Sequence, residues 1–294
     1  SGYRYYIVAR SSDNANNLQD AFELGVSSLA FSYEVDPPVS FVSNVSSGSY
    51  YRSLTQILGT VSDQNQLSNI SYVQLQIRNF GANQSEEAAD TFWDGESFTV
   101  STYNFVNFVG GSSGTWAYTQ VPFPWDNQRK YRLSVRARDV AENMEANEAG
   151  PIFTIDRSSP VAAITVPSGG AGYRFFPTVS GTASDGLNGY DAGIITSTNV
   201  EVAIQRLDDG RCWNNLSWTP APCHPLWKSA AFSGSSSGTW TYATVPDVNN
   251  APTGTRFLVL ARAKDNTFPV PGNTQDVFSI GTSSNSFSID NASG

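Results

Sequence analysis

A long internal repeat constrains this chain more than any other feature. Gly59-Thr60-Val61-Ser62-Asp63 returns as Gly181-Thr182-Ala183-Ser184-Asp185. Val73-Gln74-Leu75-Gln76-Ile77 is followed later by Val200-Glu201-Val202-Ala203-Ile204, and Trp93-Asp94-Gly95 by Trp213-Asn214-Asn215. Gly114-Thr115-Trp116-Ala117-Tyr118 matches Gly238-Thr239-Trp240-Thr241-Tyr242, and Val135-Arg136-Ala137-Arg138-Asp139 matches Ala261-Arg262-Ala263-Lys264-Asp265. Each unit closes on an alternating segment, Phe153-Thr154-Ile155-Asp156 and Phe287-Ser288-Ile289-Asp290. The spacing between matched segments grows slowly along the chain, as small loop insertions make it. A repeat of this length is a whole domain, not one turn of a solenoid.

The period inside each repeat is two. Val73, Leu75 and Ile77 alternate with Gln74, Gln76 and Arg78, and Tyr131, Leu133, Val135 and Ala137 alternate with Arg132, Ser134, Arg136 and Arg138. Such strands have one buried and one wet face. Asp94-Gly95 and Asn214-Asn215 predict two-residue hairpin turns, since both pairs tolerate positive φ. Pro37-Pro38, Pro122, Pro160 and Pro246 fall at turns and strand ends, where no ladder donor is lost. No stretch shows a 3.6-residue period. Many short strands with turn residues between them predict β-sandwiches.

Two complete sandwiches are expected, near residues 37–157 and 158–294. Residues 1–36 read as the last two strands of a preceding, incomplete one. Tyr5 to Asp13 aligns with the strand that ends at Asp139, and Phe31-Ser32-Tyr33-Glu34-Val35-Asp36 aligns with the closing strand. Two bare strands are marginal in water and expose unpaired edges. They are expected to belong to a truncated or cleaved domain, to pair with another chain such as an identical subunit by strand addition, or to be disordered, and truncation is the preferred reading. The start of the sequence has neither an initiator Met nor the apolar core of a signal peptide, so a processed chain or a piece of a longer one is expected.

Composition narrows the function classes. The 294 residues are 39% hydrophobic, enough for ordinary cores, and only 15% charged, with a formal net charge of −9. No basic patch offers itself to phosphates, so nucleic acid is not an expected partner. No run of 18 apolar residues exists, so no membrane span is expected. Cys212 and Cys223, with ten residues between them, suit a local disulfide and an oxidising compartment better than a metal site. The one histidine, His224, leaves little material for a catalytic triad, and Glu86 and Glu87 in a polar loop read as a solvated face. No enzymatic activity is expected.

The GTxSD segment, the Gly-Thr-Trp-x-Tyr strand, the Ala-Arg-x-x-Asp loop and the closing Phe-x-Ile-Asp resemble the bacterial Ig-like repeats found in tandem in large surface proteins and adhesins. The resemblance implies an all-β chain of immunoglobulin-like β-sandwich domains. It further implies an extracellular or cell-surface location, a role as stalk, adhesive module or filament subunit, and neighbouring Ig-like domains or identical subunits as partners. The sheet-bridging cysteine pair of antibody domains is absent. An internal Lys–Asn isopeptide bond is disfavoured, because Lys130 is matched by Arg256 and Lys264 by Arg138.

Two sets of residues are candidates for chemistry. In such a sandwich the loop after the second strand, the loop before the last strand and the incoming linker share one end. Asp36, Asp63 and Asp139 are then expected to converge, as are Asp156, Asp185 and Asp265, with Glu34 and Glu142 as extra donors. Three carboxylates supply part of a calcium shell. The same Asp residues also suit turns in which they cap backbone N–H groups. The second set is aromatic. Trp218 and Trp227 lack regular counterparts in the first repeat and are the candidates for stacking on a glycan, and a glycan or a host or prey surface ligand is a candidate partner. Glycan binding fits a rival assignment, the carbohydrate-binding region of a secreted multidomain enzyme.

Overall fold

A computed structural model describes residues 2–100, 102–122, 124–146, 148–186 and 199–291. The described elements are all strands, joined by turns and loops. The chain divides into two compact units, one of Ser1–Gly48, Leu54–Pro124 and Lys130–Phe153, the other of Ser49–Ser53, Trp125–Arg129 and Thr154–Gly294.

The chain opens with an antiparallel hairpin of β1 (Tyr3–Val8) and β2 (Ser28–Tyr33), which forms a sheet by itself. Next come β3 (Val39–Val42), β4 (Tyr50–Tyr51), β5 (Ile57–Ser62), β6 (Ile70–Asn79), β7 (Thr91–Trp93), β8 (Phe98–Thr99), β9 (Asn104–Phe105), β10 (Asn107–Gly110), β11 (Ser113–Tyr118), β12 (Arg129–Asp139) and β13 (Glu148–Ile155). They make two sheets, in the orders β10-β11-β5-β3 and β4-β13-β12-β6-β7-β8, with β9 added to β6. The last strands are β14 (Val161–Val166), β15 (Gly172–Tyr173), β16 (Val179–Ser184), β17 (Val200–Arg206), β18 (Lys228–Ser229), β19 (Ala231–Gly234), β20 (Ser237–Tyr242), β21 (Arg256–Ala263) and β22 (Ser284–Ile289). They repeat the plan as β14-β16-β20-β19 and β15-β22-β21-β17-β18.

In immunoglobulin lettering each four-stranded sheet is A-B-E-D, and its partner carries C, F and G. A short strand runs parallel to G at the edge, β4 on β13 and β15 on β22. The chain therefore consists of Ig-like β-sandwich domains, preceded by the β1–β2 hairpin.

The repeated motifs are where the two sheets touch. Trp116 and Trp240, on the E strands, are 2% and 1% exposed. Each indole N–H donates to the carbonyl of the Thr in the GTxSD segment, Trp116 to Thr60 at 3.1 Å and Trp240 to Thr182 at 2.9 Å. The glycine before that Thr makes room for the ring. A Cβ on Gly59 would lie 2.1 Å from Trp116 Cζ2 and 2.1 Å from the Phe41 carbonyl oxygen; on Gly181 it would lie 2.6 Å from Trp240 Cζ2. In the second sandwich Trp240 shares a core with Ala162, Ile164, Val179 and Tyr242 on its own sheet and Val202, Phe257, Val259 and Phe287 on the facing one.

Two local expectations are corrected. The β7–β8 turn is a four-residue loop, closed by the Trp93–Phe98 pair, because the Asp94 carboxylate takes the N–H groups of Glu96 and Ser97 at 2.9 and 2.7 Å. Asn214 does the same with Leu216 and Ser217, at 2.9 and 2.8 Å. Gln74 and Gln76, which alternation places on a wet face, are buried. Gln74 accepts a bond from Arg136, whose guanidinium lies 3.7 Å over the Tyr103 ring, and Gln76 donates to the Thr102 carbonyl. The disulfide between Cys212 and Cys223 is formed, within the segment that joins β17 to β18.

The Gly–Trp contact makes a direct prediction. Gly59→Ala is expected to overpack the first sandwich and cost about 1–3 kcal/mol in urea unfolding. A cost within error of zero would mean that the indole has room to move away.

Candidate acidic cation sites

Strand geometry delivers the acidic residues. Asp63 directly follows β5, Asp139 ends β12, and Glu34 directly follows β2. One carboxylate oxygen from each lies within 4.8 Å of the other two. Asp185 directly follows β16, Asp265 lies two residues past β21, and Asp156 directly follows β13. These three meet the same 4.8 Å limit. All six are buried, with Asp63 and Asp156 fully inaccessible.

The loops hold these groups by defined bonds. Asp63 Oδ2 accepts from Leu67 N–H at 3.0 Å and Ser68 N–H at 3.1 Å. Asp139 is gripped by Asn143, whose backbone N–H donates to Oδ1 at 2.8 Å and whose amide donates to Oδ2 at 2.9 Å. The same amide reaches Glu34 Oε2 at 2.7 Å. Asn273 grips Asp265 identically, at 2.7 Å from its backbone and 2.7 Å from its amide, and its amide also reaches the Asp156 carbonyl at 3.1 Å. Asp156 Oδ1 takes the Ser158 N–H at 2.9 Å. Against this background two atoms stand out. Asp63 Oδ1 and Asp156 Oδ2 are buried and have no hydrogen-bond donor.

Burying several carboxylates together penalises their charge. Burial pushes Asp156 up to about 6 and Asp185 up to about 8, with the charge of Asp265 adding to both and that of Asp156 to the latter. Glu34 is raised too, first by burial and then by Asp139 and Asp63.

The donor set fits one kind of group. All donors are hard oxygens with no thiolate or imidazole among them, which suits calcium or magnesium over zinc or copper. Calcium binds oxygen at roughly 2.3–2.6 Å, so opposite ligands of one ion are about 5 Å apart. Carboxylate oxygens held within 4.8 Å of one another reach a common ion with little rearrangement. The two oxygens without donors gain a partner when one is present.

Five of the six acidic residues expected from sequence lie in these triads. Asp36 does not; its carboxylate accepts from Asn65, and its N–H bonds the Glu34 carboxylate. Glu34, expected as an extra donor, is the third member. A signal for it was present, since aligning Phe31 with Phe153 places Glu34 opposite Asp156. Glu142 is outside the first triad and pairs with Arg138 at 3.5 Å. Asn143 and Asn273 were missed, although Asp-x-Ala-x-Asn-x-Glu/Gln recurs at Asp139–Glu145 and Asp13–Gln19.

The tryptophans have other surroundings. Trp227 stacks on Phe278 and carries the Arg262 guanidinium 4.1 Å from its ring centre. Trp218 packs on Phe257 and lies beneath Arg206 at 5.0 Å. It also lines an open cavity of about 450 Å³ with Asp208, Asp209, Asp247 and Asn250.

No protein-family model matches this sequence, and no curated protein resembles it. Solved structures of similar fold include a marsupial T cell receptor, at 10% identity and TM-score 0.41, covering 86% of this chain and 73% of that one. A tetra-tandem repeat from the extending region of a large adhesion protein aligns at 12% identity and TM-score 0.32, covering 97% of this chain and 57% of the other. The D00–D0 domain of intimin aligns at 15% identity and TM-score 0.26, with 82% and 98% covered. None of these values bears on function. The strand order defines a protein of Ig-like β-sandwich domains, and each described triad is a buried carboxylate cluster at strand ends.

The raised carboxylates predict a pH dependence. Between about pH 4 and 8 the cation-free folded state holds protons on Asp156 and Asp185 that the unfolded chain has lost, so stability falls as pH rises through that window. In chelator, Asp185→Asn is expected to flatten this decline in thermal scans from pH 5 to 8. An unchanged slope would show that Asp185 ionises normally.

Proposed function

We propose that the chain is a non-catalytic spacer or adhesive region of an extracellular or cell-surface protein, stiffened by calcium at its acidic triads. The observation that carries this reading is the recurrence of one buried triad at the same strand ends in both sandwiches, each with a carboxylate oxygen that lacks a donor. A cation there ties the segment that follows a closing strand to the B- and F-strand ends of the sandwich next in sequence. That is a mechanical role, and it needs no substrate. The disulfide supports an oxidising compartment. Repeats that present such sandwiches in series suit a stalk or a filament subunit of a microbial surface, with like domains or identical subunits as neighbours.

Extracellular calcium modules bind at roughly 10⁻⁴–10⁻³ M, so calcium at about 5 mM contributes about 1–2 kcal/mol per site. The thermal midpoint is expected to rise by roughly 3–8 °C between excess chelator and millimolar calcium, and Asp185→Ala should remove the part due to the second sandwich. Equal midpoints in the two buffers would show that the acidic residues serve the turns alone.

A second reading is favoured by one observation, the cavity beside Trp218 with its carboxylates and amide. Aromatic edges and carboxylates are groups that hold sugars, as in the carbohydrate-binding region of a secreted enzyme. Trp227, already covered by Phe278 and Arg262, does not contribute to this cavity. On a glycan array, binding abolished by Trp218→Ala is the expected result under this reading. Binding that survives the substitution, or none at all, would sink it.

A further inference from the structure

The N-terminal hairpin repeats the F–G half of each sandwich in detail. Tyr5 and Phe31 face each other across β1–β2 with rings 5.3 Å apart and 19° from parallel. Tyr131 and Phe153 stack at 5.6 Å and 25°, and Phe257 and Phe287 at 5.5 Å and 26°. The connecting loops agree as well. Asp13 is gripped by Asn17 as Asp139 is by Asn143, at 2.9 Å from the backbone N–H and 2.8 Å from the amide. The Gln19 N–H donates to the Ser11 carbonyl as Glu145 does to Ala137 and Gln275 to Ala263.

What differs is cover. Tyr5, Ile7, Phe31 and Tyr33 are 42–54% exposed, whereas Tyr131, Leu133, Phe153 and Ile155, and likewise Phe257, Val259, Phe287 and Ile289, are at most 3% exposed. The two complete sandwiches show what supplies the cover. In the second it is the A-B-E-D sheet, through Ala162, Ile164, Val179 and Trp240, and β17 pairs along the F strand. They also show what the loop residue is for. Glu145 accepts the N–H of Ser40 on its A strand, and Gln275 accepts that of Ala162 on its own, both at 2.8 Å. Gln19 holds the matching position, and its side-chain oxygen takes only a bond from Ser11, at 3.3 Å, among the hydrogen bonds described for it.

We propose that the β1–β2 hairpin is a docking surface for the missing half of an Ig-like sandwich of this same repeat type. Its occupant is an A-B-E-D sheet with a C strand, joined in cis on the N-terminal side of the hairpin, as the covering sheet is in both complete sandwiches. The E-strand Trp lies over Tyr5 and Phe31, the C strand pairs with β1, and the Gln19 carboxamide oxygen fixes the A strand by accepting one of its N–H groups. A second copy of the chain is the poorer occupant, because both of its covering sheets are already engaged with their own F–G strands.

The test is amide hydrogen exchange on the whole chain and on two extended chains. One extension places residues 37–128 directly ahead of Tyr3, and the other places residues 158–254 there. In the original chain the amides of Tyr5 to Ala9 should exchange quickly, as in marginal segments, and at a rate independent of protein concentration. In either extended chain they should slow by at least about 100-fold, towards the rates of core strands. Gln19→Ala should then return part of that protection. Fast exchange of these amides in both extended chains overturns the proposal, whether or not the added strands become protected. Protection in the original chain that grows with its concentration and vanishes in Ile7→Ser also overturns it, in favour of a second copy.

Discussion

Three carboxylates buried within one ion's reach of each other are a local destabilisation, and much of the loop structure at that end of each sandwich exists around it. Like charges at this separation in a poorly solvated site either take up protons or share a cation. Asp156 and Asp185 show the first response, with carboxyls pushed up to about 6 and 8. The neighbouring loops supply amide donors, Asn143 and Asn273 above all, that offset part of the charge without quenching it. Asp63 Oδ1 and Asp156 Oδ2 mark what the amides leave undone.

Turn capping and cation binding look like alternatives for a recurring Asp when only the sequence is at hand. The geometry makes them compatible. Asp63 uses Oδ2 for two backbone N–H groups and leaves Oδ1 without a donor, and Asp156 divides its oxygens in the same way. Asp13 shows the capping role by itself. Exposed at the hairpin tip, it keeps all three bonds from Ala15 and Asn17, and these hold its carboxyl below the usual range. The Asp-Asn clamp is therefore made by the loop's own residues.

The fold was legible because its signals are local and repeated. Alternation marks the strands, and the ordered recurrence of the motifs marks a repeat of whole-domain length. The glycine of the GTxSD segment has meaning only with the distant indole that fills its missing Cβ. The triads were legible to within two residues. Register places Glu34, not Asp36, opposite Asp156, and register decides which side chain leaves a strand end towards the cluster. The burial of Gln74 and Gln76 was not legible, since it depends on Arg136 and the Tyr103 segment coming to lie beside them. Nor was the covering of Trp227, whose partners Arg262 and Phe278 are distant in sequence.

The division of labour within each sandwich follows from these facts. The F–G hairpin carries its own stacked aromatic pair and its own clamped loop, so it specifies its shape from short-range interactions. The A-B-E-D sheet adds the Trp–Gly contact and the burial of the aromatic face, and its A strand is registered by a single side chain from the F–G loop. The B-strand Asp and the F-strand Asp lie on different sheets, so they meet only where the two sheets pack together. The carboxylate triad needs the B strand, the F strand and the preceding segment together, so it exists only in the complete arrangement. A cation bound there would favour the finished arrangement over partial ones, because only the finished arrangement brings all three carboxylates together.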